Sequence, residues 1–115
     1  IRSKGYFWLA TRSNYAGSWS QAGGIAHHGS AGRFWKAIPK SGWPKEQESI
    51  DYIMEKWVEP FGDMRQELVF IGQGLNKRKI IKLLNNCLLL DTDLLLGRAH
   101  WKTFPDPFPK WGEVA

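Results

Sequence analysis

Hydrophobic and polar positions change period several times along the chain. Gly5-Tyr6-Phe7-Trp8-Leu9-Ala10-Thr11-Arg12 is apolar and aromatic on both alternating faces, the pattern of an interior strand. Ser13-Asn14-Tyr15-Ala16-Gly17 supplies turn chemistry. A second strand is expected from Ser18 to about Ile25, with Trp19 and Gln21 on one face and Ser20 and Ala22 on the other. Gly23-Gly24 permits a bulge or a close backbone approach. His27 to Gly32 reads as a loop or distorted strand end, and Arg33 to Ile38 as a third strand. Short connections between these three argue for antiparallel pairing.

Pro39 and Pro44 break that pattern. Ile50, Ile53, Met54, Trp57 and Val58 then recur at i, i+3, i+4, i+7 and i+8, one stripe of a helix that Pro60 and Gly62 end. Glu67 to Gly72 returns to strand character and is apolar at four consecutive positions, which predicts a central strand. Asn76 can cap a helix over 77–88 with a stripe of Ile80, Leu83 or Leu84, Cys87 and Leu88. Thr92 can cap a short last helix stopped by Gly97. Phe104-Pro105-Asp106-Pro107-Phe108-Pro109-Lys110-Trp111 is too rich in proline for a helix and runs extended, its aromatics folding back to pin the terminus. The fold class is therefore α+β: an antiparallel sheet of about four strands, two main helices packed on it, and an extended Pro-rich tail.

With 115 residues and a hydrophobic fraction of 43%, including seven Trp, six Phe and three Tyr, one domain can bury roughly two thirds of its unfolded surface, and disorder is excluded. No apolar run approaches the ~20 residues that span a bilayer. Charge is uneven. Residues 1–45 hold seven Lys or Arg and no acid, whereas the rest holds nine basic and eleven acidic groups. A basic half interleaved with aromatics suits phosphate or an acidic protein surface, set against a merely solvated face. The one cysteine, Cys87, cannot form an internal disulfide, and its place on a helical stripe predicts a buried thiol in a reducing, cytoplasmic protein. The chain opens on Ile1 rather than Met, which suggests a fragment of a longer polypeptide or a processed one.

Chemistry is sparse. There is no Gly-x-x-x-x-Gly-Lys-Ser/Thr loop for phosphates, no Gly-x-Ser-x-Gly elbow, no Cys-x-x-Cys and no His-Glu-x-x-His. His27 and His28, adjacent on an extended chain, point to opposite faces and chelate poorly. Asp91 and Asp93 suit a helix N-terminus better than acid–base catalysis. Catalytic, cofactor and metal residues are accordingly assigned to none. Two phrases exceed what amphipathic patterning requires: Trp19-Ser20-Gln21-Ala22-Gly23-Gly24, and Asp63-Met64-Arg65-Gln66-Glu67-Leu68-Val69-Phe70-Ile71-Gly72-Gln73. Trp19, Gln21, Gly23, Gly24, Arg65, Gln66, Glu67 and Gln73 are the candidate interaction residues. The structural alternative is that these polar groups bond to backbone at strand ends, with Arg65 and Glu67 pairing on one face.

These phrases, with Arg2 through Arg12 before them and Cys87-Leu88-Leu89-Leu90 and Phe104-Pro105-Asp106-Pro107-Phe108 after, resemble in order and spacing the C-terminal domain of the CobW-like GTPases. That P-loop family of metallochaperones includes cobalamin-biosynthesis and zinc-responsive members, and the tryptophan-rich segments resemble the zinc-homeostasis branch most. The resemblance implies a parent whose N-terminal domain binds and hydrolyses GTP and carries a Cys-x-Cys-Cys metal motif, so GTP, Mg and Zn belong to the parent and no cofactor to this chain. It also implies an accessory α+β module, partnered by that GTPase domain and by a client metalloprotein. Family members usually open this domain with a further strand and helix, absent before Arg2. An unpaired edge, an uncovered apolar patch and lower stability than a chain extended by about 30–40 residues upstream are then expected.

Two other readings compete. A small nucleic-acid-binding module would use the basic half, with Tyr6, Phe7, Trp8, Trp19, Phe34 and Trp35 as stacking platforms. It lacks an RNP-type aromatic signature and its aromatics alternate onto both faces, so nucleic acid is disfavoured as a partner. A self-sufficient metal protein or enzyme has too few ligands.

Overall fold

The computed structural model describes residues 1–111. Its four-stranded antiparallel sheet runs in the order β3-β2-β1-β4, where β1 is Arg2–Trp8, β2 Tyr15–Ala22, β3 Ile25–Arg33 and β4 Glu67–Ile71. β1 is interior, as its aromatic composition requires. The other helical elements are α1 (Gln47–Met54), α2 (Lys77–Asn85), α3 (Asp91–Leu96) and α4 (Arg98–Trp101). The α+β class stands.

Several elements differ from expectation. β1 ends at Trp8, and Ala10–Arg12 is a 3-10 turn. Gly23 and Gly24 form neither bulge nor close contact. They are a two-residue hairpin turn, Gly23 at φ 59, a backbone angle at which glycine alone is unstrained. Expected as a loop, 27–32 instead continues β3. The third strand placed at Arg33–Ile38 is a 3-10 turn over Trp35–Ala37. β3 is an edge strand of small and exposed residues, so it carries almost none of the apolar alternation by which strands are read. β4, expected to be central, is the opposite edge, with Val69 and Ile71 half or more exposed.

The helical stripe also ends early. α1 stops at Met54, and Trp57 leaves the helix to meet Trp43, ring centroids 5.5 Å apart. Ile53 is the one buried side chain of α1. Asn76 caps α2 as expected, its Oδ1 accepting from the Lys79 N–H at 3.1 Å. α2 nevertheless stands proud of the domain. Ile81, Leu83, Leu84 and Leu88 are exposed, and so is Cys87, which corrects its expected burial. Thr92 lies inside α3 rather than capping it, the cap position being Leu90. Gly97 ends the helix, and Asp91 and Asp93 occupy its first turn.

The core sits at the Trp8 end of the sheet. Trp8 packs edge-on against Phe34, Phe61 and Trp101, with centroids 5.5 to 6.3 Å apart, and Met64, Ile53 and Phe34 are buried there. Trp101 is the most deeply buried large side chain, and its indole N–H donates to the Asp93 carbonyl at 2.6 Å. Each such burial contributes about 1.5–3 kcal/mol. The tail folds back as expected: Phe108 stacks on Phe7, Trp111 meets Phe7 edge-on, and Arg12 holds Asp106 at 2.9 Å.

Candidate interaction site

The candidate residues fall into two groups at opposite ends of β1, about 17 Å apart for the five steps from Ser3 to Trp8. At the first end the Trp19 indole N–H donates to Ser3 Oγ at 2.9 Å. Ser3 Oγ donates to Gln21 Oε1 at 2.7 Å, and Gln21 Nε2 donates to the carbonyls of Gly23 and Ile1 at 2.7 and 3.3 Å. This explains the Gln between Trp and Gly-Gly: the register pairs Gln21 with Ser3, and a side chain with both donor and acceptor is needed to relay Ser3 to the turn.

At the second end Gln66 replaces a strand residue. Its Oε1 accepts from the Trp8 N–H at 2.8 Å and its Nε2 donates to the Trp8 carbonyl at 2.6 Å, so the amide extends the β1–β4 ladder by one rung. Arg65 donates to the Asp63 carbonyl at 3.0 Å and pairs with Glu67 at 3.4 Å, as expected of side chains sharing a face. Lys56 reaches the other Glu67 oxygen at 2.5 Å. That lysine hydrogen bond first, and Arg65 after it, hold the Glu67 carboxyl below the ordinary glutamate range. Gln73 lies apart, exposed beyond β4, with no side-chain hydrogen bond among the described residues.

Gly5 shows why this end of the sheet is so close-set. A Cβ there would lie 2.0 Å from the Glu67 carbonyl oxygen, and its φ of 150° is one that other residues seldom adopt. Asp63 opens the second phrase but is not among the candidate residues. It is buried, and its two oxygens accept from the N–H groups of Trp35 and Lys36 at 2.8 and 2.9 Å, closing the 3-10 turn. A lone Asp after Phe-Gly gives no pattern by which that role could be read.

The arrangement holds strands together rather than presenting a reacting group. Among the described residues no three His, Cys, Asp or Glu side chains converge, so a zinc site of three protein ligands does not fit. His28 packs edge-on against Phe108. His27 lies on the opposite face by the alternation of β3. The aromatics proposed as stacking platforms are largely occupied: Trp8, Phe34, Trp35 and Phe7 pack against other rings, and Trp19 bonds Ser3. No helix among the described residues is long and apolar enough to cross a membrane.

Comparison with known proteins decides the family. The description "Cobalamin synthesis protein cobW C-terminal domain" matches residues 1–88. The chain belongs to the CobW C-terminal domain family. It is 44% identical over 114 residues to a Dictyostelium discoideum protein named zinc-regulated GTPase metalloprotein activator 1, covering 93% of this chain and 22% of that one. It is 30% identical over 116 residues to a zinc chaperone of Mycobacterium tuberculosis, covering 96% and 28%. This CobW domain thus spans about a quarter of the length of such relatives. No solved structure matches it. The CobW C-terminal domain is the non-catalytic part of its family.

Proposed function

We propose that this CobW domain is the accessory module of a GTP-dependent zinc metallochaperone, coupling the GTPase domain of its own polypeptide to a client metalloprotein in the cytoplasm. GTP, Mg and Zn are handled by the rest of that parent. The observation that carries the reading is 44% identity over nearly the whole chain to a zinc-regulated GTPase activator. Physical support comes from where the polar side chains go. Gln21, Arg65, Gln66 and Glu67 are spent inside the domain, leaving its outer surfaces for docking.

The test is zinc transfer to the client by the full-length parent, with and without this domain. Nucleotide binding should survive the deletion, while transfer should fall by about tenfold or more, the ~1.4 kcal/mol scale of a useful coupling. Unchanged transfer would rule the proposal out.

A further inference from the structure

Beyond the Trp8 end of the sheet, about 23 Å along β1 from Ile1, the chain builds a surface of three tryptophans. Phe34 packs on Trp8, and the next residue, Trp35, opens the 3-10 turn that Asp63 closes. Pro39 and Pro44 bracket a second such turn, Lys40–Gly42, after which Trp43 returns to meet Trp35. Trp57, just past α1, meets Trp43 in turn. The ring planes cross at 70° and 64°, so the partly buried indoles stand as ridges with slots between them. A groove of about 270 Å³ runs along all three, lined also by Ile38 and Met54. A second hollow, of about 450 Å³, adjoins Trp35 and is lined by Pro44, Ile53 and Glu48.

The polar groups here are unequally committed. The Trp43 indole N–H donates to the Ile38 carbonyl at 3.0 Å, and that of Trp57 to Glu59 at 2.8 Å. The Trp35 indole N–H makes no hydrogen bond among the described residues and can donate to an incoming carbonyl. Lys36 lies over Trp57 and is neutralised by Glu59 at 2.8 Å. Lys40 is exposed, lies over Trp43 at 5.9 Å from the ring centroid, and has no ion pair among the described residues.

Each feature narrows the occupant. Crossed rings give successive nucleobases no flat platform on which to stack. Lysines already set against two of the rings repel a cationic ligand. The groove is smaller than the ~300 Å³ at which small-molecule sites begin. An extended proline-rich segment meets every condition. Its pyrrolidine rings fit slots between indoles, its backbone carbonyls lack internal partners, and a carboxylate on it answers Lys40. Glu48 and Glu59 repel that carboxylate elsewhere along the surface, which confines it to the Lys40 position.

We infer that Trp35, Trp43 and Trp57 dock a proline-rich, acid-bearing segment of a partner protein, with Trp35 donating to its backbone and Lys40 pairing with its acid. Such docking needs neither nucleotide nor zinc, so its failure leaves the chaperone reading standing.

Fluorescence anisotropy of a dye-labelled peptide of Pro-Pro-Glu-Pro repeats, titrated with the full chain, tests this. We expect saturable binding with Kd of about 10–100 µM. Lys40→Glu should weaken it roughly tenfold, and lysine in place of the peptide's glutamates should reverse the preference, favouring the Lys40→Glu chain over wild type. Trp35→Phe keeps a ring and loses the donor, and should weaken binding by about threefold or more. Both variants should keep native near-UV circular dichroism, because Lys40 is exposed and the Trp35 N–H bonds nothing in the fold. No saturation below about 1 mM, equal affinity for a Gly-Ser peptide of the same charge, or indifference to Lys40→Glu would overturn the inference. So would an oligothymidylate that displaces the peptide and binds more tightly.

Discussion

Gln66 is the residue at which the domain departs furthest from ordinary strand chemistry. One side-chain amide does the work of a backbone unit, donating to and accepting from Trp8. Gln66→Ala leaves the Trp8 N–H and carbonyl without these partners beside the aromatic core. We predict a loss of about 1–3 kcal/mol in urea unfolding, with Gln66→Glu intermediate because it keeps the acceptor and loses the donor. Equal midpoints for wild type and Gln66→Ala would contradict this. The Arg-Gln-Glu phrase announced polar groups that bond to backbone, and so did Gln21. What could not be read was the partner of each. Trp8 lies 58 residues from Gln66 and Ser3 lies 18 from Gln21, and only the fold brings them together.

At the scale of elements, legibility followed the strength of the local signal. β1, the Asn76 cap, the Gly97 stop and the returning tail each rest on residues with one dominant behaviour. β3 has no such residues, and its pairing is set by the Gly23-Gly24 turn instead of by its own composition. α2 failed differently. Its stripe is genuine, but an apolar stripe reports amphipathicity, not whether anything covers it. Cys87 lies two residues past the end of that uncovered helix, its Sγ pointing back to the Leu83 carbonyl at 3.4 Å, and is exposed with it. We predict that a thiol reagent labels it fully in the native protein at a rate near that of a free thiol. Labelling that requires denaturant would show that the helix is covered.

For the whole molecule, the family match stops at residue 88, yet the deepest side chain is Trp101 and the tail packs on Phe7. Residues 89–111 are thus part of the same folding unit. Asp106 is its clasp. The Thr11 hydroxyl first, then the Phe108 N–H and Arg12, hold its carboxyl below the ordinary aspartate range. Because the folded value lies below the unfolded one, near 4, the clasp stabilises fully above about pH 4 and is lost as pH falls through the folded value. Asp106→Asn should therefore cost about 1 kcal/mol at neutral pH and progressively less below about pH 4. A gap between the two proteins that stays constant with pH would contradict the assignment.

If this domain serves chemistry housed elsewhere in its parent, as proposed, the isolated 115-residue chain holds no zinc of its own, and its zinc content after equilibrium dialysis is the decisive measurement. Metal at the background level of a protein without a site is predicted, because no three ligands converge among the described residues. One tightly held zinc per chain would contradict it.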